Sequence, residues 1–158
     1  MGSDQEHKHL WNIFILWGLI VEVIIAISVW ASVPPVSRDA LTHHLILPRL
    51  WLEQGGLFEI PYLVYSYYPP NLNLLYLIPL YFNNDIIPKY IHFAFALITA
   101  AMVYRYLYRR INTIYALLGA LFFLSIPVIV RLSSTVYVDL GLICFSFFET
   151  FFSHNRKR

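Results

Sequence analysis

The chain has 158 residues, of which 59% are hydrophobic, 18% aromatic and only 13% charged, with a mean hydropathy of +0.61. Soluble domains average roughly 45–50% apolar residues, so this balance excludes a water-soluble globular protein and leaves an all-α, polytopic membrane protein in one membrane domain, 1–158. A formal net charge of +2 offers no basic surface for nucleic acid, and the lone Cys144 inside an apolar run excludes both a disulfide framework and a thiolate metal centre.

In chain order, residues 10–33 form the first predicted span, preceded by a polar tail, 1–9, and closed by Pro34-Pro35. The apolar core is long and the tail carries Asp4 and Glu6, which reads as a retained signal anchor rather than a cleaved leader. Glu22 stands halfway along it, where it is either protonated or paired with a polar group on a neighbouring helix such as His92.

Residues 34–88 then read as one loop outside the membrane. The apolar stretch 72–82 is only about eleven residues long and contains Asn73 and Pro79; stretches of about 10–14 residues lie at an interface more often than they cross. Charge agrees: the loop sets Arg38 and Arg49 against Asp39, Glu53, Glu59 and Asp85, an excess of acid. Three further spans follow at about 90–108, 111–130 and 132–152. The clusters Arg105, Arg109, Arg110 and Arg156-Lys157-Arg158 then fall on one side, as cytoplasmic ends require. Both termini are thus expected in the cytoplasm, with the chain in a cytoplasmic (inner) membrane. Counting 70–82 as a fifth span would put both clusters outside.

Two surface helices are expected in the loop. Ser37 or Asp39 can cap the first, which carries Leu41, Leu45, Leu52 and Trp51, is interrupted at Pro48 and stops at Gly55-Gly56. The second opens after Tyr65-Ser66-Tyr67-Tyr68-Pro69-Pro70, with prolines setting its direction.

The chemistry-bearing residues gather here. Asp39 and His43 lie four apart on one helical face, which suits an acid/base couple or two of the ligands that a divalent metal needs, with His44 about 100° further round. The bland alternatives are a solvated aspartate and, for Tyr67 and Tyr68, an aromatic belt at the membrane surface; the functional one is stacking on a sugar ring or lipid headgroup. Asp139, one or two turns inside the last span, either pairs with Arg131 or serves a substrate.

A first span, an outer loop opening on Ser37-Arg38-Asp39-Ala40, a surface helix led by Tyr68-Pro69-Pro70-Asn71-Leu72, and a step from Arg131 to Asp139 resemble the GT-C superfamily of membrane glycosyltransferases. Within it the likeness is to the protein O-mannosyltransferases and aminoarabinose transferases, which take sugars from polyprenyl phosphate. Ala40 stands where many members have a second acid, and Tyr68 where they have His or Lys. The resemblance implies Asp39 as base, or charge partner, for the acceptor. It implies Arg38 or Arg131 on the departing phosphate, and His43, His44, Tyr67, Tyr68, Pro69 and Asp139 along the substrate cleft. No cofactor is implied. The implied partners are membrane lipid, a polyprenyl-phosphate-linked sugar and, because family members carry more spans, a second chain supplying those that an amino-terminal portion lacks. Two readings from other classes stand beside it: a non-catalytic subunit binding a partner or a lipid headgroup, and a small transporter component using Glu22 and Asp139 as a proton path.

Overall fold

A computed structural model describes residues 2–67 and 70–156, and the described residues are helical with no strand. Seven α-helices run in order: α1, Gly2–Ala31; α2, Ile46–Gln54; α3, Asn73–Tyr81; α4, Ile87–Arg110; α5, Thr113–Ser125; α6, Pro127–Ser133; and α7, Asp139–Arg156. A π-helical turn, Ala40–His44, precedes α2, and a 3-10 turn, Val64–Tyr67, precedes α3.

Helices α1 and α4 are long and apolar enough to cross a membrane. They answer to the expected spans 10–33 and 90–108 with shifted ends. Helix α1 runs back through the expected polar tail and stops short of Pro34. Helix α4 begins three residues earlier than expected, with Pro88 in its first turn, where a missing N–H costs nothing.

The other two expected spans differ from the structure. The span expected at 111–130 is broken into α5 and α6, which meet at a bend of 66°. Pro127 has no N–H to continue the ladder, and it holds Ile126 in extended backbone at φ −62° and ψ 124°. The last expected span, 132–152, does not begin at Leu132, because α6 continues to Ser133. There the hydroxyls of Ser134 and Thr135 turn back onto the Arg131 carbonyl at 2.9 and 3.1 Å and end the helix. Helix α7 starts only at Asp139 and carries Asp139, Glu149 and Arg156 within 18 residues, and among the described residues it is not one of the helices long and apolar enough to cross a membrane. Two helices, or three elements if the bent pair acts as one, thus have the length and composition of spans among the described residues, where four were expected.

Helices occupy both positions expected within 34–88. Gly55 closes α2 in the left-handed region, at φ 72°, as the Gly-Gly pair predicts. Pro48 does not break the helix in two. The turn ahead of it widens instead, with the Leu45 amide donating to the Ala40 carbonyl at 2.9 Å, and Pro48 then lies in the first turn of α2.

The main core lies between α4, α5 and α7, with α1 laid along α5. Gly119 makes the α4–α5 contact close, since a Cβ there would stand 2.2 Å from the Leu107 side chain. A second, smaller core of Ala40, Leu45, Tyr76, Leu80 and Val136 joins the π-turn, α3 and the 134–138 connection. The two cores meet at His92, which has no exposed surface. Its Nδ1 faces the carbonyls of Leu132 at 2.9 Å and Thr135 at 3.2 Å, and its Nε2 accepts the Leu140 amide at 3.1 Å. One imidazole thereby closes the end of α6 and caps the start of α7, whose first amides have no partner within the helix.

Replacing His92 with Leu keeps the volume and removes both functions. The Leu140 N–H and the Thr135 carbonyl lose their ring partner, and leaving buried polar groups unpaired costs about 1–3 kcal/mol each. Unfolding followed by circular dichroism in mixed micelles should show His92→Leu destabilised by about 3 kcal/mol; a change under about 1 kcal/mol would show that the ring is not holding these elements.

Candidate functional site

Where α1 ends and α4 begins, the chain leaves a cavity of about 500 Å³. Trp30 and residues 33–40 form one wall, Lys89 of α4 the floor, and Arg131 with residues 134–137 the other wall. The rim is held from below: the Tyr90 hydroxyl donates to the Ser28 carbonyl at 2.9 Å and lies 2.6 Å from the Ser32 hydroxyl, pinning α4 to the last turns of α1. The Lys89 ammonium, on a side chain only 4% exposed, donates to the Val33 carbonyl and fixes the chain just before the two prolines.

Arg38, Lys89 and Arg131 line the cavity together with one carboxylate, that of Asp39. Asp39 occupies the capping position of the π-turn, but its backbone is already helical and its side chain makes no cap. The expected cap, whether from Ser37 or Asp39, is therefore absent, and both side chains turn to Tyr137 instead. The Tyr137 hydroxyl donates to Asp39 Oδ2 at 3.2 Å and stands 3.2 Å from the Ser37 hydroxyl. The other carboxylate oxygen faces His43 Nε2 at 3.9 Å, the contact that a spacing of four predicts. Asp39 keeps a 56% exposed side chain, so its carboxylate is accessible while aimed from two sides.

Tyr137 divides the expected site residues into two groups. On the cavity side stand Arg38, Asp39 and Arg131. On the other side His44 Nδ1 lies 3.2 Å from Asn73 Oδ1, its ring 5.5 Å from that of Tyr137. The Tyr76 hydroxyl donates to the Tyr137 carbonyl, and Asp139 acts electrostatically on His44 and Tyr76. Desolvation, reinforced by Asp139, raises the Tyr76 phenol above its ordinary range. His44 and Asp139 therefore sit behind the cavity wall rather than in it.

Other expectations are corrected outright. Asp139 is not one or two turns into a helix but is the first residue of α7, where a negative charge suits the helix amino terminus. Among the described residues no ion pair joins it to Arg131; the half-buried Asp85 takes Arg49 as its partner, tying α2 to the turn ahead of α4. Glu22 does not meet His92, whose two ring nitrogens are both occupied by backbone; it lies exposed on the outward face of α1. Glu22 and Asp139 both lie outside the cavity lining. Tyr67 is 56% exposed in the 3-10 turn and does not line the cavity, and Tyr68 and Pro69 fall outside the described residues. No three metal-ligating side chains converge among the described residues.

Sequence reasoning missed Lys89 and Tyr137. Lys89 carried a signal, a cation in the first turn of an apolar helix, where only a buried carbonyl or a ligand would hold it. Tyr137 carried none, since the broken helix that brings it 98 residues back to Asp39 has no local signature.

No family model, curated protein or solved structure matches the chain.

Burial holds the His44 imidazole below its usual value of 6.5, against a smaller opposing effect from the Asn73 hydrogen bond. The unfolded chain takes up this proton at higher pH than the folded one. Stability is therefore full above pH 6.5 and falls as the pH drops below it. Thermal unfolding between pH 5 and 7.5 should show that slope reduced in His44→Gln, and an unchanged slope would remove His44 as its source.

Proposed function

We propose that the chain is a membrane glycosyltransferase, or the amino-terminal module of one, that moves a sugar from a polyprenyl phosphate donor to an acceptor at the outer face of the cytoplasmic membrane. In this reading the termini and the arginine clusters are cytoplasmic, residues 34–88 are extracytoplasmic, and the cavity opens at the outer lipid surface. The observation that carries it is the Asp39 carboxylate set among Arg38, Lys89 and Arg131 in one cavity.

That arrangement suits the reaction's charges. The acceptor oxygen attacks the anomeric carbon, the bond from that carbon to the phosphate oxygen breaks, and the electron pair leaves with polyprenyl phosphate. Asp39 receives the acceptor proton, or holds the acceptor by its charge. The leaving group gains negative charge as the bond breaks, and cations already placed beside it stabilise that change without having to be gathered at the moment of reaction. Arg38 and Arg131 can meet phosphate oxygens in a bidentate fork, while Lys89 adds a point charge. Tyr137 and His43 keep the carboxylate aimed, which supplies orientation rather than acid strength.

A second reading draws on the same excess, three cations to one acid: the cavity holds an anionic lipid headgroup without transferring anything. The two diverge in proteoliposomes containing this chain alone and a labelled polyprenyl-phosphate sugar. Transfer predicts release of polyprenyl phosphate, reduced about 100-fold or more in Asp39→Asn, as expected on losing a general base. Headgroup binding predicts no release and retention weakened by Arg131→Gln. Release that survives Asp39→Asn at full rate would end the transfer reading.

A further inference from the structure

The cavity between α1 and α4 carries charge that the protein does not neutralise. Arg38, Lys89 and Arg131 line it against one carboxylate, that of Asp39. The Asp39 oxygens are engaged by Tyr137 and His43, and among the described residues neither Arg38 nor Arg131 pairs with an acid. Lys89 is buried, yet the partner that the described residues give its ammonium is the neutral carbonyl of Val33. A buried ammonium is costly without a counter-charge, and an anion in the cavity would supply one. The cavity also lies where α1 ends and α4 begins, the two helices with the length and composition of spans, and Trp30, Val33 and Val36 of its lining are exposed. An anion carried on a lipid therefore meets these cations at the level of the headgroups.

We infer that the cavity selects a terminal phosphate monoester on a lipid over a phosphodiester on the same lipid. A diester carries one charge and two unbridged oxygens, whereas a doubly ionised monoester carries two charges and three such oxygens. The three cations, held on three separate elements, exceed the one carboxylate by two charges, so the monoester matches both their number and their excess. Selection then follows the monoester's second ionisation, which falls at about pH 6 in water. The ionisable groups around the phosphate are Arg38, Asp39, Lys89, Arg131 and Tyr137, with His43 against Asp39. A diester meets the same groups, and below that ionisation the two ligands carry the same charge before them. This selectivity rests on the reading that the cavity takes a phosphate, which transfer and headgroup binding share. Under transfer it orders the affinities: the donor is a diester and the released polyprenyl phosphate a monoester, so product holds the cavity more tightly than donor and inhibits turnover.

The test uses the full-length chain in phosphatidylcholine nanodiscs holding a radiolabelled polyprenyl phosphate, which competitors displace. At pH 8 phosphatidic acid, a monoester, should act at a concentration about tenfold or more below that of phosphatidylmethanol with the same acyl chains, as one further charge-assisted hydrogen bond implies. At pH 5 the two should agree within about threefold. Glycerol 3-phosphate, a monoester without chains, should displace little at either pH. Arg131→Gln removes a side chain that makes no ion pair among the described residues, and it should bring the pH 8 ratio under about threefold. Equal displacement by the two lipids at pH 8 would end the selectivity and leave phosphate binding standing, whereas a chain that retains no lipid phosphate would overturn both. A preference that persists at pH 5, or that Arg131→Gln leaves intact, would not come from the cavity's charge. Glycerol 3-phosphate as effective as phosphatidic acid would overturn the lipid-borne ligand in favour of a soluble one.

Discussion

The fold turns on one buried imidazole. His92 sits with no exposed surface where α4, the end of α6 and the start of α7 converge, and both of its nitrogens are engaged with backbone. In an apolar interior an unpaired carbonyl or amide is expensive, so a broken helix can exist there only if something satisfies the groups that the break frees. Pro127 and the Ser133-Ser134-Thr135 run create such groups within a dozen residues, and His92 answers those nearest the centre. A leucine of the same size would fill the space without answering them.

The cavity follows from that junction. With α6 ended at Ser133 and α7 delayed to Asp139, the intervening residues lie across the end of the bundle instead of continuing along it. Val136 drops into the smaller core beside Tyr76 and Leu45, while Tyr137 projects to Asp39. The same connection thus seals a hydrophobic cluster on one side and aims a carboxylate on the other. The Lys89 contact with Val33 and the Tyr90 contacts with Ser28 and Ser32 fix the opposite wall. The cations are presented by three separate elements, so the cavity's charge is a property of the tertiary fold and not of any local segment.

What the sequence made legible was what depends on composition and short-range spacing. The long apolar helices α1 and α4, the two surface helices, the stop at Gly55 and the Asp39–His43 contact all follow from rules acting within one or two turns. The structure departs from the longer reading where a helix is interrupted. Residues 111–130 and 132–152 carry apolar runs long enough to suggest two crossings, and hydropathy averages across the bend at Ile126 and across the hydroxyl-terminated end of α6. Asp139, expected one or two turns inside a span, is the first residue of α7. Arg38, Asp39 and Arg131 line one cavity. Lys89 and Tyr137 complete their surroundings through contacts that no local pattern encodes.

The account therefore stands or falls on the state of His92 in a bilayer. Nitrogen NMR of histidine-labelled protein, with the His92 signals assigned by comparison with His92→Leu, reads it directly. The structure requires one fixed tautomer, with the proton on Nδ1 facing the two carbonyls and a bare Nε2 accepting the Leu140 amide. The opposite tautomer, or a ring exchanging between the two, would contradict the junction on which the cavity rests.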